Sequence, residues 1–312
     1  MRRPQSINQD GSPNYDSSHL VEFDFSLLHF DVGLLGAIGN KYVYSIGTVF
    51  FISNEFAVTA WHVIEDLINE LQPGGEQAFQ ERLRRNPNVQ AALGFGLEIQ
   101  LSRKIKGPSV AASVIYISKS PLSDIALLEI HPIRQEGFGN ARVPMLHAAP
   151  PPVGTPIDAF GIVVDEPRLD FEEGKKASFM CKAWWSHGVI KQHLWKGRGS
   201  ILAFPVFETN ANFLGGMSGG PVVSMSGIVF GMVCFDSGPN IDNIEADPLS
   251  YVCSLLPVLC CKCEYDFGVG RGKIQTTVLE LAKRGIINMG GIDRVELVWE
   301  GIDVIGLNIK PI

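Results

Sequence analysis

Short apolar runs broken by turn residues dominate the first third of the chain. Residues 41–52 (KYVYSIGTVFFI) are rich in β-branched and aromatic side chains around Gly47. Ser53-Asn54-Glu55 reads as a turn, and residues 56–60 (FAVTA) as a second strand, the pattern of a hairpin. After Val63 the period changes. Ile64, Leu67, Ile68 and Leu71 fall at helical spacing, residues 77–85 are charged and helix-friendly, and Pro73-Gly74-Gly75 separates the two pieces. Together they predict a helical insertion over about 63–92 in a β-protein. Strands resume over 96–102, 113–118 and 124–129. The Pro-rich stretch 147–152 (HAAPPP) reads as a boundary between two halves. The second half predicts strands over 156–164, 175–183, 188–190, 201–208, 220–224 and 227–235. A short helix follows over 276–284 with Gly285 as its stop, then a final strand pair over 292–309. Many short strands joined by Gly/Pro turns point to a mainly β molecule built as barrels or a sandwich. Residues 1–25 read as a loosely ordered tail.

Composition narrows the classes. The chain has 312 residues, 46% hydrophobic and 19% charged, enough for one large core or two small ones. A net charge of −7 counts against a nucleic-acid-binding surface. The most apolar stretch, residues 251–261 (YVCSLLPVLCC), is too short to span a membrane and is interrupted by Pro257. The polar first twenty residues contain no apolar run of secretory length, so the expected address is cytoplasmic. Six cysteines are present, four of them between Cys253 and Cys263. Adjacent cysteines pair poorly with each other, and reduced thiols suit that compartment. The C-C-x-C cluster lacks a second ligand pair at metal-site spacing, so these cysteines read as structural thiols; no metal or cofactor is expected.

Three motifs carry chemistry. In residues 215–223 (GGMSGGPVV) several glycines surround Ser218. Glycine is costly in backbone entropy, and it makes sense where the chain turns tightly and leaves its N–H groups pointing at one spot beside a hydroxyl. In residues 58–63 (VTAWHV) an apolar strand ends in small residues and His62 opens a helix, which fixes the imidazole from both sides. In residues 123–129 (SDIALLE) Asp124 immediately precedes an apolar strand. Taken alone, Asp124 is an ordinary turn residue; it gains meaning from the other two motifs.

T-A-W-H, D-I-A-L-L and G-M-S-G-G-P-V-V together resemble the histidine, aspartate and serine motifs of the trypsin/chymotrypsin family, in that family's chain order. The resemblance covers roughly residues 35–240. It implies two six-stranded Greek-key barrels: 26–150 carrying His62 and Asp124, with the helical insertion after His62, and 151–240 carrying Ser218. Residues 241–312 would form a C-terminal extension. The resemblance further implies a serine endopeptidase acting on a protein or peptide substrate. Ser218 would be the nucleophile, His62 the general base, and Asp124 the residue that orients the imidazole, with an oxyanion hole from the N–H groups of Gly216 and Ser218. Asn212 matches the base of the family's primary specificity pocket, and Asp236 would sit near its rim, favouring a basic side chain.

One departure stands out. Met217 occupies the place of the aspartate that, in secreted members, pairs with a new N-terminus after zymogen cleavage; methionine cannot make that ion pair. The segment 209–221 (TNANFLGGMSGGP) is closer in style to the high-temperature-requirement branch and related bacterial intracellular enzymes. The loop 213–217 is then either preformed or ordered by a partner protein. The expected setting is a bacterial defence or stress system in which cleavage activates a partner protein. The competing readings are an inactive binding scaffold and an esterase-like hydrolase.

Overall fold

The computed structural model describes residues 19–38, 42–85, 89–93, 96–101, 110–131, 140–164, 168–170, 180–199, 202–236, 250–268, 270 and 272–310. In chain order its elements begin with β1 (His19–Glu22), β2 (Val32–Ile38), β3 (Tyr42–Phe51) and β4 (Phe56–Ala60). Three helices follow, α1 (Trp61–Leu71), α2 (Gly75–Arg85) and α3 (Val89–Leu93), then β5 (Gly96–Leu101), β6 (Val110–Lys119) and β7 (Ile125–Ile130). The second half holds β8 (Leu146–His147), β9 (Pro156–Val164), β10 (Arg168–Asp170), β11 (Cys181–Leu194), β12 (Val206–Thr209), β13 (Pro221–Ser224), β14 (Val229–Asp236) and β15 (Ser250–Ser254). The chain ends with β16 (Lys262–Tyr265), β17 (Ile274–Thr277), α4 (Val278–Lys283), β18 (Met289–Gly290), β19 (Val295–Glu300) and β20 (Asp303–Ile309).

Hydrogen bonding closes two antiparallel barrels of six strands. The first runs β3-β2-β5-β6-β7-β4 and back to β3; the second runs β13-β9-β11-β12-β15-β14 and back to β13. Closure removes the sheet edges that would otherwise invite aggregation. Two strands of the first barrel are covered on both faces: every residue of β4 and of β7 is buried. One face fills the barrel, and the other meets the helices or the C-terminal segment. The helical insertion covers this outer surface through Ile64, Ile68, Phe79 and Leu83, all nearly inaccessible. Asp31, itself buried, anchors the start of β2 by accepting hydrogen bonds at 2.8 Å from both the backbone N–H and the Nε–H of Arg142.

Several boundaries differ from the sequence expectation, each for a physical reason. Part of the predicted tail is a strand: β1 pairs with β11, Val21 opposite Trp185. The separate strands over 175–183 and 188–190 are one continuous strand from Cys181, with residues 175–179 outside the described set. Ser186-His187-Gly188 looks like a polar break. Within the fold, however, His187 Nδ1 bonds buried Asp158 Oδ1 on facing β9 at 2.8 Å. Gly188 leaves room for the Ala211 backbone, whose nitrogen would lie 2.4 Å from a side-chain carbon at that position. The strand predicted over 201–208 is shorter, starting at Val206. The second barrel is not complete by residue 240: β15 closes it, pairing with both β12 and β14. Its sequence lies in the apolar run that Pro257 interrupts, and the proline begins a 3-10 turn just after the strand. The helix α4 is capped by Thr277, whose hydroxyl accepts the Glu280 N–H at 3.3 Å, and Gly285 takes a left-handed φ of 71° just beyond its end.

Candidate active site

The site begins at the junction of β4 and α1. Ala60 precedes the helix and has no side chain able to cap it, so the first-turn N–H groups need another acceptor. Asp124 supplies it from the neighbouring strand, because β4 and β7 are paired with Ala60 opposite Ile125. The Asp124 carbonyl accepts the Trp61 N–H at 3.0 Å, and its Oδ1 accepts the His62 N–H at 2.8 Å. Its other oxygen, Oδ2, lies 2.5 Å from His62 Nδ1. One carboxylate thus caps the helix and fixes the ring. With the proton on Nδ1, Nε2 is left as the acceptor. Burial alone pulls the His62 pKa down, but the hydrogen bond and charge of Asp124, with the charges of Asp66 and Glu65, outweigh it and hold the imidazole above the ordinary histidine value.

A third side chain completes this cluster. Cys234, on β14 of the second barrel, donates its S–H to Asp124 Oδ2 at 3.3 Å across the interface. Burial first, then the nearby Asp124 charge, pushes this thiol well above its usual range, so it remains a neutral donor. The sequence singles out Asp236, at the end of the same strand, but not Cys234. Period-2 alternation puts residue 234 on the same strand face as Met232, which is the available signal. His62, Asp124 and Cys234 are also the one set of three potential metal-ligating side chains that converge among the described residues, with donor atoms within 4.8 Å of one another. The thiol would have to ionise against both its burial and the adjacent carboxylate, and Nδ1 is already taken by Asp124. The set fits hydrogen bonding better than metal binding. The cysteines between Cys253 and Cys263 form no such set among the described residues.

Ser218 enters from the second barrel on a loop held tightly to the first. Thr48, fully buried on β3, makes most of the connections. Its N–H donates to the Ser218 carbonyl at 2.9 Å. Its hydroxyl donates to the Gly216 carbonyl and accepts the Ile162 N–H, both at 2.8 Å. Its own carbonyl accepts the Thr59 hydroxyl at 2.7 Å. Sequence reading placed no weight on Thr48, and a threonine after Gly47 in a strand carries no distinguishing signal. The glycines after Ser218 are explained by the same closeness. Gly219 has φ 87°, and a side-chain carbon there would sit 2.1 Å from the Thr48 carbonyl oxygen; at Gly220 it would sit 1.9 Å from the Phe160 oxygen. Gly47 separates the two sides: a side-chain carbon there would lie 3.0 Å from the Ser218 oxygen and 3.2 Å from Val63, the neighbour of His62.

Met217 is fully buried and packs over Gly161, and its sulfur accepts the Leu214 N–H at 3.3 Å. Among the described residues, the backbone N–H groups of Gly216 and Ser218 donate to no protein acceptor, and no hydrogen bond joins Ser218 Oγ to His62 Nε2. Catalytic hydrogen bonds are often loose until substrate binds. Of the two specificity candidates, Asn212 is half-buried between buried Ala211 and Phe213. Asp236 ends β14 opposite Ser250, and its side chain lies outside the described residues.

Two closed barrels, with a histidine–aspartate pair from one and a glycine-flanked serine from the other, define a chymotrypsin-like serine protease. Residues 47–232 match the family model of the trypsin-like peptidase domain; the chain belongs to that family and is a trypsin-like serine endopeptidase. No curated protein matches the chain. Among solved structures, it is similar to the Rv3671c protease from M. tuberculosis in its active form, at 18% identity over 74% of this chain and 78% of that one, with a TM-score of 0.43. It is also similar to Deg5, at 17% identity over 74% and 86% of the two chains, with a TM-score of 0.42. No described helix is long and apolar enough to cross a membrane.

Proposed function

We propose that the chain cleaves proteins through an acyl-enzyme in which Ser218 is the nucleophile, His62 the general base and Asp124 the residue that orients the imidazole. The observation that carries this is the pair of hydrogen bonds that one carboxylate accepts from His62, from the backbone N–H and from Nδ1, which leaves Nε2 as the base. His62 takes the Ser218 proton as the hydroxyl attacks the peptide carbonyl, then gives it to the leaving amine. Asp124 stabilises the imidazolium, and Cys234 holds the second lone pair of Oδ2. The N–H groups of Gly216 and Ser218 receive the oxyanion; one such donor is worth about 3 kcal/mol of barrier. By the family resemblance, Asn212 would stand at the base of the pocket for the residue before the scissile bond and Asp236 near its rim, favouring a basic side chain.

The loop 213–217 works without a charged N-terminus. Buried Met217 and the Thr48–Gly216 bond support a preformed loop, so partner proteins act as substrates rather than as the ordering agent. Cleavage that activates a partner in a bacterial defence or stress system is the setting we propose. Six free cysteines suit a reducing, cytoplasmic compartment. Cleavage of a peptide library by wild type beside Ser218→Ala tests the reading: products from wild type alone support it, and equal cleavage by both contradicts it.

A further inference from the structure

A cavity of about 970 Å³ adjoins the histidine–aspartate pair. His62, Asp124 and Cys234 form one wall. Gly306, Leu307 and Ile309 of β20 line it as well, in a C-terminal hairpin that lies outside the 47–232 stretch shared with the family. Elsewhere the lining is chiefly apolar, including Trp61, Leu122, Trp195 and Phe204. Beside this lining, Lys119 stands against two carboxylates. Lys119 lies 3.8 Å from Glu65 and 3.0 Å from Glu76, with its ammonium 4.6 Å over the Trp61 ring. The floor is tied down by the Ser120 hydroxyl, which donates to the Pro257 carbonyl at 3.1 Å.

The hairpin is fixed rather than laid loosely on the surface. Val295 is buried in the main core and Val304 is buried too, Lys262 Nζ bonds Asp303 Oδ1 at 2.7 Å, and the Lys310 N–H bonds the Arg294 carbonyl at 2.9 Å. Yet on the cavity side two large apolar side chains stay open: Ile309 is 57% exposed and Trp195 53% exposed. Such a patch, continuous with the reacting groups, fits an occupant that arrives with the substrate.

We propose that β20 is a substrate-selecting wall: the cavity takes a bulky, uncharged apolar side chain of the substrate, within a few residues of the scissile bond. The occupant follows from continuity. His62 lines the cavity, so a peptide that brings its leaving amine to His62 passes beside it, and the chiefly apolar lining suits an apolar side chain. This rests on the catalytic reading above, so the test separates binding from chemistry.

Ser218→Ala and Ser218→Ala/Ile309→Glu are titrated with peptides that carry Phe, Leu, Ala or Lys at each position flanking the site that wild type cleaves; if wild type cleaves none, a randomised library is used instead. The proposal expects the single variant to bind Phe or Leu peptides about tenfold or more tightly than Ala or Lys peptides at one position, and the double variant to lose that preference. Ile302→Glu, at the 80%-exposed tip of the same hairpin and away from the cavity, keeps the preference. Apolar selectivity in binding without cleavage by wild type would sink the catalytic reading and leave the cavity proposal standing. No apolar preference at any position, or the same preference in the Ile309→Glu background, overturns the cavity proposal.

Discussion

Replacing Thr48 by valine removes one hydroxyl and almost no volume, and it tests whether the first barrel positions the oxyanion loop. That hydroxyl donates to the Gly216 carbonyl and accepts the Ile162 N–H, each at 2.8 Å, from a fully buried residue. Leaving a buried polar group unpaired costs about 1–3 kcal/mol. Gly216 is only half-buried, so its carbonyl can turn to water; the Ile162 N–H has less recourse. We therefore expect a stability loss of about 1–3 kcal/mol. The larger effect should be on turnover. Freed from Thr48, Gly216 can turn about its own φ and ψ, since its carbonyl, shared in a peptide with Met217, no longer fixes them; that turn takes the Gly216 N–H out of the oxyanion position, a loss worth up to about 10²-fold in kcat. Urea denaturation measures the first quantity. The second is read from kcat and KM well below the melting transition, beside the affinity for a peptide aldehyde that forms a tetrahedral adduct. Thr48→Val should lower kcat and aldehyde affinity together with KM little changed, and Thr48→Ser should restore both. A variant that is destabilised yet turns over like wild type would refute the positioning argument and leave Thr48 a purely structural residue.

Three further outcomes are expected. Activity should rise with pH through an apparent pKa above the ordinary histidine value, because the neutral base forms only above it; Asp124→Asn should move that midpoint down, since burial is then opposed only by the weaker charges of Asp66 and Glu65. By linkage, the stability that His62 contributes is fully present below its unfolded pKa and fades as pH rises through the folded one. Arg142→Ala should cost about 1–3 kcal/mol in urea denaturation, because it removes the guanidinium from the buried Asp31 carboxylate while the backbone N–H at residue 142 still donates to it. Thiol titration should count one accessible cysteine in the native protein, Cys181, and all six in denaturant; the other five are buried, with Cys260 and Cys263 pushed up to about 12 by that burial.

The elements most legible in the sequence were those whose signal is local. The change from strand patterning to Ile64, Leu67, Ile68 and Leu71 announced the helical insertion, and the glycines around Ser218 announced a tight turn, though not the backbone of Thr48 and Phe160 pressed against it. What the sequence hid depends on contacts across the barrels. Ser186-His187-Gly188 looked like a strand break because Asp158 and Ala211, which explain it, lie far away in sequence. β15 was read as part of an extension because barrel closure is a pairing property, invisible to periodicity. Thr48 and Cys234 are ordinary strand residues until the two barrels meet. The wall that β20 lends to the cavity is likewise a consequence of where the hairpin docks rather than of its composition.

The claim at the centre of this account is that the glycine-flanked hydroxyl is made reactive by the imidazole beside it. Mass spectrometry after exposure to a fluorophosphonate reads this directly. Wild type should carry a single adduct on Ser218, His62→Ala should label far more slowly, and Ser218→Ala should carry none. An adduct on another residue, with labelling and proteolysis persisting in Ser218→Ala, would contradict it.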